Sequence, residues 1–115
     1  MSGLTSHVLD TGLGVPARNV RVVLERQDQG AKGWQVLAEQ VTNADGRTNN
    51  FATAGVTLER GTYQLRFDVA SYFLATKRET LYGIVPIVFN VEDPQAHYHI
   101  PLLISPFGYS TYRGS

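Results

Sequence analysis

Residues 98, 100, 102 and 104 are Tyr, Ile, Leu and Ile, while 97, 99, 101 and 103 are His, His, Pro and Leu. An apolar row of period two marks a strand with one face in a core, because successive side chains of an extended chain point to opposite sides. Ser105-Pro106-Phe107-Gly108 follows. Pro fixes φ and Gly admits positive φ, so the strand is expected to turn back on itself. A second short strand is expected from Tyr109 to Tyr112. This hairpin carries two imidazoles, a serine, a tyrosine and an arginine on or near one exposed surface.

The same period recurs along the chain. Leu4 to Asp10 reads as a first strand, with Leu4, Ser6 and Val8 on one face and Thr5, His7 and Leu9 on the other. Thr11-Gly12-Leu13-Gly14 ends it, and Pro16 lies in a loop. Val20 to Gln27 is a strand with Val20, Val22 and Leu24 inward, and Asp28 to Gly33 is a flexible connection. Trp34 to Thr42 resumes the pattern, with Trp34, Val36 and Ala38 on one face. Asn43-Ala44-Asp45-Gly46 is a tight reversal that delivers Arg47 directly after it. Asn49 to Leu58 is expected to hold one short strand and a loop.

Gly61 to Val69 alternates Tyr63, Leu65, Phe67 and Val69 on one face. From Ala70 to Arg78 the period of two is lost, and the spacing of Tyr72, Phe73, Ala75 and Thr76 predicts a helix of about two turns. Ile84 to Glu92 returns to β, with Ile87, Phe89 and Val91 together. Seven or eight short strands with one helical insertion predict an all-β antiparallel sandwich, and 115 residues suit a single domain.

Formal net charge is zero and the isoelectric point is near 6.8, which gives no electrostatic reason to expect nucleic acid or an anionic membrane. No apolar run approaches the roughly 20 residues of a membrane span. The first residues show no basic segment leading into an apolar one, so no signal peptide is expected. The absence of cysteine rules out disulfides, thiolate metal sites and cysteine nucleophiles.

Histidine occurs only at 7, 97 and 99. His97 and His99 share a strand face, away from the Tyr98/Ile100 row. Two imidazoles could hold zinc with a third ligand, but no carboxylate stands at a ligand spacing near them, so no metal site is expected. Ser105 and Ser110 lack the Gly-x-Ser-x-Gly elbow of a serine nucleophile. Gly12-Leu13-Gly14 is too short and wrongly placed for a phosphate loop. Taken one at a time, Arg47 reads as a solvated residue and Tyr112 to Ser115 as a fraying tail.

Taken together, these segments resemble a family. Leu4 to Asp10, Thr42 to Thr48, His97 to Leu103, Ser105 to Thr111 and the ending Tyr112-Arg113-Gly114-Ser115 are similar, in order, to the transthyretin-related proteins. Within that family they resemble the 5-hydroxyisourate hydrolases of urate breakdown. The Tyr-Arg-Gly-Ser ending and the histidines are the specific part, since the thyroid-hormone carriers of the family keep the hairpin and lose both. One departure is Leu81-Tyr82-Gly83-Ile84-Val85-Pro86, where the family usually has an aromatic pair directly before the proline.

The resemblance implies an eight-stranded transthyretin-like sandwich that assembles as a homotetramer, a dimer of dimers, with a channel across the dimer–dimer interface. It implies hydrolysis of 5-hydroxyisourate without metal or organic cofactor. His7, Arg47, His99 and Tyr112 form the implied catalytic set. These four, with Ser110, Arg113, Gly114 and Ser115, form the implied substrate-binding set. Imidazole suits water activation near neutral pH, and an always-charged planar guanidinium suits orientation of a flat substrate and stabilisation of an oxyanion. The rival is a non-enzymatic carrier using the same channel. It needs no base, and a sandwich module for protein recognition leaves His7, Arg47 and the tail without a shared role. The Arg-Gly-Ser ending lacks the Ser-Lys-Leu type of peroxisomal address, so a cytoplasmic location is expected.

Overall fold

The structure, a computed structural model, describes residues 3–28 and 33–115. The connection expected at Asp28 to Gly33 lies, over residues 29–32, outside the described residues. The strands are β1 (Gly3–Asp10), β2 (Val15–Pro16), β3 (Arg21–Gln27), β4 (Trp34–Val41), β5 (Gly61–Asp68), β6 (Ile84–Val91), β7 (His97–Ser105) and β8 (Gly108–Thr111). One helix, α1 (Val69–Ala75), follows β5. The strands form two four-stranded sheets in the orders β2-β1-β7-β8 and β4-β3-β5-β6. Neighbours are antiparallel except β1 and β7, which run parallel with Thr5 opposite His99 and His7 opposite Pro101.

The apolar rows face one another between the sheets. Leu4, Val8, Tyr98, Ile100, Leu102 and Ile104 of the first sheet are buried, as are Val22, Leu24, Tyr63, Leu65 and Phe67 of the second. Each large side chain buried in this way stabilises the fold by about 1.5–3 kcal/mol before entropy is counted. Two polar groups share the inner row of β1. Ser6 donates to the Ile100 carbonyl at 2.7 Å. The buried Asp10 carboxylate accepts from Tyr72 at 2.7 Å, from the Gly12 and Leu13 N–H groups, and from Arg78. Asp10 thereby ties β1 to α1, whose own start is capped by Asp68 accepting from Ser71 N–H.

Three expectations change. Asn49 to Leu58 holds no strand but a 3₁₀ turn at Phe51–Ala54. The Asn50 side chain accepts from both Leu4 and Ala52 N–H, and Phe51 is buried, so capping and burial fix a turn there. In β4 the single face expected for Trp34, Val36 and Ala38 is broken by a bulge opposite Leu24/Glu25. The extra residue lets Leu37 and Ala38 both rest on the core and leaves Val36 60% exposed. Pro16, expected in a loop, extends the first sheet with Val15 by pairing to Leu9 and Asp10. The helix starts at Val69, one residue before the expected Ala70 to Arg78 span and at the residue expected to end β5, and β8 lies one residue earlier than expected.

Candidate active site

The outer face of the first sheet carries the odd row of β1, and the 43–48 turn brings a second element beside it. Asn43 Oδ1 accepts from Asp45 and Arg47 N–H at 2.9 and 3.0 Å, closing the turn. Gly46 takes φ 76°, and a side chain there would strike the Val8 carbonyl. The turn then docks edge-on: Val8 N–H donates to Gly46 O at 2.7 Å and Thr48 N–H to Ser6 O at 3.1 Å. Arg47 forms an antiparallel bridge with His7, which puts both side chains on the same outer face. His7 Nε2 donates to the Asp45 carbonyl at 2.8 Å, because a carbonyl can only accept.

His99 sits half-buried on β7. Its Nδ1 lies 2.8 Å from Thr5 Oγ1, and His97 Nε2 lies 3.1 Å from the same oxygen. The chain after β8 returns over this strand, and Gly114 N–H donates to the His99 carbonyl at 2.8 Å. A Cβ on Gly114 would lie 2.5 Å from His99 Cδ2, so the tail backbone packs directly against the ring. Burial, then the Arg47 charge, then His7 and His97, hold the His99 pKa below its ordinary value, while a hydrogen bond to the Thr5 backbone acts in the opposite direction. The outcome is a neutral imidazole beside a cation that, among the described residues, has no carboxylate partner.

Arg47, His99 and Ser115 line one pocket of about 260 Å³ with Thr5, Thr48 and His97. His7 adjoins it through the Arg47 bridge. Tyr112 and Arg113 do not line this pocket. They border an apolar groove between the sheets, lined by Ile87, Phe89 and Tyr98. Arg113 stacks 4.5 Å from the Tyr98 ring centre and donates to the His97 carbonyl. Ser110 lies farther along the hairpin, paired with Leu103. Gly114 acts on the site through His99. Thr5 and Thr48 were not among the sequence candidates; Thr5 shares strand parity with His7, which was the available signal, whereas Thr48 enters only because the turn docks on β1. Among the described residues no group of three or more His, Asp or Glu is placed to hold a metal.

The chain is similar to known proteins over nearly its whole length. The model of the HIUase/Transthyretin family matches residues 4–114. The chain is 44% identical to the 5-hydroxyisourate hydrolase of Halalkalibacterium halodurans over the full length of both. The solved 5-hydroxyisourate hydrolase of Klebsiella pneumoniae superposes with a TM-score of 0.84 at 39% identity, covering 99% of this chain and 100% of that one. Sea bream transthyretin, solved in complex with thyroxine, superposes with a TM-score of 0.88 at 29% identity, covering 96% and 93% of the two chains.

Proposed function

The chain belongs to the HIUase/Transthyretin family, and from that membership we propose that it is the hydrolase that opens the six-membered ring of 5-hydroxyisourate in urate degradation, giving 2-oxo-4-hydroxy-4-carboxy-5-ureidoimidazoline. The observation that carries this reading is the half-buried His99, its pKa held below the ordinary value, in one pocket with Arg47, a cation without a carboxylate partner among the described residues. His99, with His7 beside Arg47, takes a proton from water as its oxygen attacks the ring carbonyl. Arg47 orients the flat substrate and stabilises the charge that develops on the carbonyl oxygen. The ring C–N bond then breaks, the leaving nitrogen takes up the proton that the histidine accepted and becomes the terminal NH2 of the ureido group, and the water oxygen remains in the new carboxylate, whose own proton passes to solvent. Ser115 closes the pocket, and Tyr112, Arg113 and Ser110 contribute from the neighbouring surface of the assembled protein. No step calls on a metal or organic cofactor.

A pocket on the open face of one sheet is a half-site. A homotetramer in which two such faces meet encloses it, excludes water and strengthens the electrostatic contributions. No helix of the described residues is long and apolar enough to cross a membrane, which accords with action on a small dissolved substrate. The carrier reading explains the fold equally well but leaves two imidazoles and an unpaired arginine in one pocket without a task. The deciding experiment follows ultraviolet absorbance of freshly generated 5-hydroxyisourate. Catalytic amounts of protein should speed its loss well above spontaneous decay; stoichiometric binding without turnover would favour a carrier.

A further inference from the structure

The Thr5 hydroxyl stands between two imidazoles and has a single proton to give. No other acceptor for it occurs among the described residues. With both rings neutral, the contacts at 2.8 and 3.1 Å are both hydrogen bonds, with no proton wasted, only if one ring donates to Oγ1 and the other accepts from it. His99 shares its pocket with the Arg47 cation, which favours a lone pair over an N–H on the ring nitrogen that does not face Thr5. The nitrogen of His99 that faces Thr5 is therefore the one bearing hydrogen. The ring cannot swing away, because the Gly114 backbone lies against Cδ2. Nε2 is left without a protein partner among the described residues.

We infer that Thr5 is the positioning residue of this site: its hydroxyl accepts from His99 Nδ1–H and donates to His97 Nε2, fixing both rings as Nδ1–H tautomers and leaving the His99 Nε2 lone pair free for the attacking water. The role of that lone pair rests on the hydrolase reading, whereas the tautomer assignment does not. Free histidine prefers the Nε2–H form, so the opposite form in both rings is the mark of the hydroxyl between them. His97 thereby gains a task without touching substrate. It takes the hydroxyl proton and so keeps Oγ1 aimed as an acceptor at His99.

The assignment is tested by long-range proton–nitrogen correlation spectra of histidine-labelled protein at about pH 8, above the ordinary histidine range. In the wild type, His99 and His97 should each show a protonated Nδ1 and an unprotonated Nε2. Thr5→Val keeps the shape and removes the hydroxyl. It should return His99 toward the Nε2–H form and lower kcat roughly ten- to a hundredfold, part of the 10²- to 10⁴-fold a positioned base supplies, with KM little changed. Thr5→Ser should restore both the nitrogen shifts and most of kcat. A wild-type His99 found as Nε2–H, or nitrogen shifts unchanged in Thr5→Val, overturns the proposal, and the wild-type spectrum decides even if Thr5→Val fails to fold. Assigned shifts as expected in a wild type inactive on 5-hydroxyisourate would uphold the tautomer lock and overturn the hydrolase reading.

Discussion

His97 and His99 stand on one face of β7, roughly 6.5 Å apart along the strand. Their surroundings give them different work. His99 is half-buried, packed by Gly114 and depressed in pKa, whereas His97 is exposed. His99→Asn keeps an amide that can still donate to Thr5 but has no base at neutral pH. Its initial rate should fall by about a hundredfold or more, and that of His97→Asn by less than about tenfold. Circular dichroism and sedimentation serve as controls, and equal losses would mean that the two rings share the base. The depressed pKa also fixes a sign. The base stays neutral to below the ordinary value of 6.5, so the acid limb of kcat/KM should lie under that pH. An acid limb above it would point to a different titrating group.

Two short elements, neither of them a strand, build the site around β1 and β7. The 43–48 turn was legible because Asn-Ala-Asp-Gly is turn chemistry, and its reach to β1 was not, because that depends on the Ser6 and Val8 backbone. The tail was legible only by resemblance. Nothing in Tyr112 to Ser115 foretells that Gly114 N–H finds the His99 carbonyl. Alternation located the faces of β1, β5, β6 and β7 correctly, since each buries one row. It failed at β4, where a bulge breaks the period, and at Phe51, where a cap from Asn50 outweighs strand propensity. Gly114→Ala probes the tail directly. Its methyl must displace the His99 ring, and displacements of about 1 Å cost up to a hundredfold in oriented catalysis, so activity should fall at least tenfold. The melting temperature should move by less than about 5 °C, because the residue lies outside the core. Wild-type kinetics in this variant would show that the ring does not depend on the tail.

At the scale of the whole molecule, Asp10 joins the first sheet to the helix that caps the second. Burial pushes its carboxyl up, but hydrogen bonds from Arg78, Tyr72 and Leu13 N–H, with the Arg78 charge, outweigh it and hold the pKa below 3.8. Burial and the bond to Asp10 push Tyr72 up to about 12. An unfolded chain therefore takes up a proton at Asp10 before the folded one does. The stabilisation is complete above the unfolded value and is lost as pH falls through the folded one. Asp10→Asn should cost about 3 kcal/mol at pH 7, since Arg78 is left beside a neutral partner, and urea midpoints below pH 3.8 should converge with those of the wild type. Parallel curves at every pH would remove Asp10 from the account. Assembly has its own test: diluting the protein until sedimentation shows monomers should abolish turnover, and a fully active monomer would mean the half-site suffices.

The parallel pairing of β1 with β7 also sets an order of events. β3 to β6 occupy residues 21–91 and can close their sheet among themselves, while β1 lacks its longest neighbour until residues 97–105 have been made. Thr5 and His99 are separated by 94 residues, so the imidazole pair forms through one of the longest loop closures available to the chain. During synthesis on a ribosome, residues 3–10 must therefore wait without their longest partner, paired only with the short β2 and the 43–48 turn and leaving the other edge exposed to neighbouring chains. Catalytic competence should accordingly appear only as the first and last strands meet, after the second sheet is already in place.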